Sequence, residues 1–190
     1  YSLMNYSGLY QGTYYPMGGF HEIILALSKL ATEKGVNIKY SSNVDKIDVI
    51  KSKVSKLTVN GKKLTFDGVV AAADYHHVDQ VLLDKKYRNY STSYWDKREM
   101  APSSLLFYVG LDKKLENIQH HNLFFDEDFD SHAKDIYDAP KWPEKPLFYL
   151  SCPSLTDPTV APKGKENLMF LIPLAPGLID SSEMREKYFK

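Results

Sequence analysis

Cysteine is almost missing from this chain: Cys152 stands alone among 190 residues. No intrachain disulfide can form, which fits a reducing compartment and leaves stability to a packed core. An excess of either charge is missing too, with Lys+Arg and Asp+Glu at 24 each. That argues against a nucleic-acid partner, whose binders carry a basic surplus. No apolar run approaches the roughly 20 residues of a membrane-spanning helix. The longest, Leu105–Leu111 and Leu168–Pro173, have strand length. Nothing near Tyr1 looks like a secretory leader, and a start at Tyr1 reads as an excised piece of a longer protein. Several catalytic signatures are lacking as well: G-x-G-x-x-G, the P-loop, the G-x-S-x-G elbow, paired cysteines and His-x-x-x-His. Without the glycine loop the chain does not cradle a pyrophosphate in the usual dinucleotide manner.

What is present is aromatic and patterned. Aromatic residues are 13% of the chain, with 14 Tyr and 9 Phe, and hydrophobic residues are 43%, enough for a core. Many tyrosines suit flat amphipathic walls, in a core or around an apolar ligand. The most informative stretch is Tyr15-Pro16-Met17-Gly18-Gly19, which runs into an amphipathic segment. Glycines reach positive φ and permit close approach, so such a turn can seat a helix start against an anion or cofactor.

The periodicity predicts a helix from Phe20 to about Lys34, with Phe20, Ile23, Ile24, Leu27, Leu30 and Ala31 on one face. That face is expected to pack against a strand at Val36–Tyr40. Further strands are predicted at Val44–Ile50, Val54–Val59 and Lys63–Phe66, with Asn60-Gly61 as a tight turn. The run Gly68–Ala73 reads as a short buried strand. Asp74 is expected to cap a helix over Tyr75–Leu83. Composition shifts near Asp84-Lys85-Lys86, and a polar aromatic segment follows to Pro102. Beyond it strands are predicted at Ser103–Leu111, Asn122–Phe125, Leu147–Cys152 and Leu168–Pro173. A short helix is expected over Asp128–Tyr137. A last helix is expected to start at Asp180, with Glu183 completing a capping box. No internal repeat is visible.

Candidate chemistry is sparse. His120 and His121 are adjacent, and on a strand adjacent side chains point to opposite faces, so no shared metal site is expected. Cys152 reads as a small core residue, since a reactive thiol needs neighbours that lower its pKa.

Several motifs together resemble one family. They are the stretches Tyr1–Tyr6 and Gly12–Gly19, then Gly35–Ile38, Asn43–Ile47 and Val69–Asp74. Ser103–Leu111, His120–Phe125, Pro153–Pro158 and Ala161–Gly164 continue the series over nearly the whole chain. This pattern is similar to the central part of bacterial-type phytoene desaturases, FAD-dependent carotenoid desaturases within the amine-oxidase-like flavoproteins. The resemblance implies a mixed α/β fold, part of a Rossmann-type FAD-binding domain joined to a sheet-based substrate domain. It implies a cofactor side over residues 1–84 and a substrate side over 85–190.

The resemblance also implies residues for the site. Val44 would lie beside the adenosine half of FAD through its backbone. Gly18, Gly19, Ala73 and Asp74 would lie near the domain crossover. Catalytic residues are not indicated, and no metal is expected. The implied substrate is a long apolar polyene such as phytoene, whose hydrogens pass to the flavin. Peripheral membrane contact follows from a lipid-dissolved substrate, with a cytoplasmic location at the inner membrane face. Gly8-Leu9-Tyr10-Gln11 departs from the more polar stretch of the family. A retinoid or carotenoid saturase or isomerase on the same scaffold, or a non-catalytic apolar-ligand module, are the alternatives. This chain alone is expected to be inactive and to hold FAD weakly, because the diphosphate loop is not in it.

Overall fold

The computed structural model describes residue 3 and residues 6–190, so Tyr1, Ser2, Met4 and Asn5 of the first motif lie outside the described residues. The fold is mixed α/β, with short helices and two antiparallel sheets. The chain divides into two compact units, Gly35–Glu99 and Tyr1–Lys34 with Met100–Lys190.

The Gly35–Glu99 unit is built on a meander. Strands β1 (Val44–Ile50), β2 (Lys53–Val59) and β3 (Lys62–Thr65) pair in the order β1-β2-β3. Asn60 and Gly61, both at positive φ, make the tight turn that the Asn-Gly pair predicts. Ile47, Val78 and Leu82 form the small core, with Val44, Val49, Leu57 and Leu83 packed on it. Asp79 is fully buried beside them. It accepts hydrogen bonds from the Asn89 amide at 2.7 Å, the Gln80 side chain at 2.7 Å and the Trp95 indole at 3.3 Å. Burial opposes its charge, but these donors outweigh it and hold its pKa below the usual carboxylate range.

The other unit is organised by a second sheet, β4 (Ser103–Leu111), β5 (His121–Phe124), β6 (Phe148–Ser151) and β7 (Glu166–Leu174), in the order β4-β7-β6-β5. Alternation along the strands sorts the side chains onto two faces. Phe107 pairs with Phe170, Val109 with Leu168, and Leu150 with Phe170, so these share one face. Tyr108, Met169, Tyr149 and Leu171 take the other. Leu150, Cys152 and Leu168 are the buried centre of the first face. The second face carries the helix Phe129–Tyr137, capped by Asp128. Its buried His132 accepts the Leu147 amide at Nδ1 (3.1 Å) and meets the Pro173 carbonyl at Nε2 (2.9 Å). Only an imidazole protonated at Nε2 satisfies both.

Five local expectations are corrected. Val36–Tyr40 and Gly68–Ala73 are not strands, and Val70 is 93% exposed. A strand needs a hydrogen-bonding neighbour, and none is formed by either segment among the described residues. The first helix, α1 (His21–Glu33), forms where expected, yet none of its residues is buried. The helix at Tyr75–His77 is a single α turn that widens into a π turn over Val78–Leu82. Finally, the cap of the last helix (Ser182–Phe189) is Ser181, whose hydroxyl accepts the Met184 amide at 3.2 Å. Asp180 instead pairs with Arg185.

Candidate functional site

Motifs far apart in sequence meet beside the start of α1. The Gly19 amide donates to the Pro16 carbonyl at 2.9 Å and closes the turn. Gly18 and Gly19 sit at φ 92° and 96°, which side chains rarely adopt. A Cβ on Gly18 would also lie 2.8 Å from Glu22 Cγ. The Gly18 amide donates to Asp157 Oδ2 at 2.5 Å, across 139 positions of sequence. Both glycine amides are therefore committed within the chain.

Asp157 is fully buried. Its other oxygen accepts from the Thr159 hydroxyl at 2.6 Å and the Thr159 amide at 2.9 Å. The Thr159 hydroxyl first, then the Gly18 amide, hold its pKa below the usual carboxylate range. Tyr15 lies close by. Burial, and then the Asp157 charge, push its phenol up.

The Tyr15 ring meets His120 edge-on at 4.8 Å, and His120 Nδ1 is hydrogen-bonded to the Thr156 hydroxyl at 2.9 Å. Here the expectation that the two histidines point apart is corrected. Their rings stack at 4.3 Å, because His120 precedes β5 and only His121 belongs to it. His121 Nδ1 is bonded to the Tyr149 hydroxyl at 2.5 Å. Burial, and then the neighbouring His121, hold the His120 pKa low.

A second buried carboxylate anchors the loop that carries Asp157. Glu166, at the start of β7, accepts from the Ser154 hydroxyl and from Lys114 Nζ at 3.1 Å. Ser154 and Asn167 exchange two more hydrogen bonds, at 3.1 and 3.2 Å. Burial raises the Glu166 pKa, but the Ser154 hydroxyl and then Lys114 bring it net below the ordinary value. The Pro153–Leu155 turn is thereby fixed on β7, and Asp157 follows two residues later.

The same strand lines a cavity of about 730 Å³ over the first sheet face. Phe107, Val109, Phe148, Leu168, Phe170 and Ile172 form its apolar walls. Lys113, Asp126, Glu127 and Lys145 are among its charged lining. A concave apolar wall with charges at a few points suits a hydrocarbon ligand.

The five residues expected at the cofactor divide between the units. Gly18 and Gly19 belong to the one just described; Val44, Ala73 and Asp74 belong to Gly35–Glu99. Val44 opens β1, an edge strand whose outer side makes one isolated bridge, Ile47 to Leu83. Its side chain packs on the small core with Val78 and Leu82. Asp74 caps the Tyr75 turn by accepting the His77 amide at 2.8 Å, and Ala73 is exposed beside it.

As a test of fit for a flavin, the β1 edge has the backbone groups that a backbone contact requires. The Gly18 and Gly19 amides do not, because Asp157 and Pro16 already hold them. Sequence reasoning missed Asp157 and Glu166. The Asp-Pro-Thr order at 157–159 is a legible turn signal, but it does not point to Gly18.

Comparison with known proteins places this geometry in a lineage. The model of flavin containing amine oxidoreductases matches residues 1–180. The carotenoid 3,4-desaturase of Haloarcula japonica is 40% identical over 99% of this chain and 38% of its own length. The phytoene desaturase of Fusarium fujikuroi is 33% identical over 95% of this chain and 32% of its own. The zeta-carotene-forming phytoene desaturase of Myxococcus xanthus is 30% identical over the whole chain and 37% of its own. The chain thus spans roughly a third of the length of these curated relatives. With a family match over most of its residues, this chain belongs to the flavin containing amine oxidoreductases.

Proposed function

We propose that the full-length protein is an FAD-dependent oxidoreductase that desaturates a carotenoid precursor such as phytoene. The observation that carries this reading is the apolar cavity of about 730 Å³ on the β4-β7-β6-β5 face. It suits a ligand made almost wholly of hydrocarbon, the class that the relatives' names specify for those proteins. When bound, FAD supplies the redox chemistry. The chain's own residues orient the polyene and exclude water from it. Phe107, Phe148 and Phe170 offer flat walls that a polyene stacks along.

The proposal keeps residues 1–84 on the cofactor side and 85–190 on the substrate side. Val44 lies along the adenosine half of FAD through backbone groups of the β1 edge. Ala73 and Asp74 stand near the crossover. Gly18 and Gly19 contribute shape and close approach, since their amides are occupied. Peripheral contact with the inner membrane face belongs to the same reading. Leu123, Phe125, Phe129 and Tyr137 are exposed together along the second sheet face and its helix. No helix of the described residues is long and apolar enough to cross a membrane.

The test uses the full-length protein in a host that makes phytoene, with products separated by chromatography. Loss of phytoene and appearance of more conjugated products is the expected result. Val109→Trp, which fills the cavity, should stop conversion while leaving the flavin-to-protein absorbance ratio near normal. Unchanged phytoene with the wild-type protein, in the presence of bound flavin, would point to a saturase or isomerase. Conversion unaffected by Val109→Trp would remove this cavity as the substrate site.

A further inference from the structure

We infer that Asp157 is a positioning residue of this flavoprotein: its carboxylate sets the Gly18–Gly19 turn, and with it the start of α1, against the His120 edge of the sheet. The inference rests on the flavoprotein reading above and names a residue for which that reading has no role.

A buried carboxylate carries a desolvation penalty, so burying one needs a reason. Asp157 is fully buried yet uses both oxygens on backbone donors, Gly18 on one side and Thr159 on the other. An amide of the same shape has one accepting atom and one donating atom. In either orientation it leaves a donor facing one of these two N–H groups. Only a carboxylate satisfies both, and charge-assisted bonds are the stronger kind.

The turn is strained for any residue but glycine, and a Cβ on Gly18 would collide with Glu22. Glycine reaches this geometry freely but is also free to leave it, so the shape of the turn depends on what surrounds it. Asp157 and the Tyr15–His120 contact supply those surroundings. The clamp itself stands on the sheet. Through Ser154 and Glu166 its loop is fixed to β7, whose Leu168, Phe170 and Ile172 line the apolar cavity. Asp157 therefore ties the substrate wall to the turn that begins α1. Small errors in such registration are costly to rate, because about 1 Å of misplacement can cost about a hundredfold.

The experiment uses the full-length protein with its flavin, comparing wild type with Asp157→Asn. Turnover per bound flavin is expected to fall about tenfold to a hundredfold with KM within about twofold. The flavin absorption bands are expected to shift. A merely structural role would lower the yield of folded protein and leave turnover per bound flavin and the spectrum as in wild type; that result overturns the inference. Thr159→Val keeps the carboxylate and removes one donor. It serves if Asp157→Asn yields little folded protein, and a smaller loss in the same direction is expected; no loss counts against the inference. Hydrogen exchange separates the two levels of argument. Asp157→Asn should expose the amides of residues 18–23 while the β4–β7 amides stay protected. Unchanged protection at 18–23 overturns the inference whatever the flavin does. A wild-type protein that holds no flavin, but loses this protection on substitution, refutes the flavoprotein reading and leaves Asp157 as a clamp.

Discussion

The stacked histidines set a pH dependence that can be signed. The His120 pKa is held below the ordinary value of about 6.5, so the folded state favours the neutral ring. Its contribution to stability is complete above about pH 6.5 and is lost as pH falls through that value towards the folded pKa. The carboxylates with lowered pKa values, Asp157, Glu166 and Asp79, lose their contributions only in more acid solution. Urea denaturation between about pH 7 and pH 5 should therefore show falling stability, and His120→Gln should flatten the slope. An equal slope in the variant would mean that another group titrates there. Cys152 offers a second test. It is fully buried, and burial pushes its thiol up. A thiol reagent at neutral pH should react with it only as fast as the surrounding sheet opens. Rapid labelling of the native protein would contradict that burial.

At the scale of elements, pattern and packing part company. α1 carries a clean apolar stripe, but Leu27 in its middle is 59% exposed. Leu27→Ala in this chain should change stability by less than about 0.5 kcal/mol, as a surface substitution does. Such a stripe calls for an apolar cover, and in the full-length protein the same change is expected to cost about 2–5 kcal/mol. Ile172 is the contrast: it is buried on β7 at the centre of its sheet. Ile172→Ala should cost about 2–5 kcal/mol already in this chain. Chemical denaturation of both variants in both contexts decides the matter, and equal effects of Leu27→Ala in the two would remove the covered face. β1 can be probed by proline. Val44→Pro deletes an amide and breaks the local strand, so the full-length variant should lose most of its FAD, whereas Val44→Ile should keep it. Full FAD content in a folded Val44→Pro protein would take β1 out of the cofactor site.

For the whole molecule, the expectation concerns what this chain does alone. The glycine amides of its best anion-binding candidate are already bonded to Pro16 and Asp157. The sequence contains no G-x-G-x-x-G to replace them. Titration with FAD, followed by flavin fluorescence, should give no stoichiometric binding below the micromolar range. Tight binding would mean that the cofactor is held by groups other than those expected here. Two compact units, each with its own core, are what a chain of this size can support on hydrophobic burial without disulfides.

Local chemistry was legible in the residues themselves. Asn60-Gly61 dictates its turn, Asp74 caps the turn that follows it, and alternation places Leu105, Phe107 and Val109 on one face of β4. The combination of motifs also pointed to the family that the comparison then matched. Each of these depends on neighbours within a few positions, or on residue types held in order, and a sequence displays both. Tertiary structure alone decided the rest. Val36–Tyr40 has the period of a strand but no partner among the described residues, so it stays coil. His120 and His121 stack because β5 begins between them, a one-residue boundary that periodicity does not resolve. The Gly18–Asp157 bond joins positions 139 apart, and the buried pairing of Ser154 with Glu166 bridges a loop. Such contacts arise from where the sheet carries its loops in space, and strand pairing across the chain is the step that a linear pattern does not encode locally.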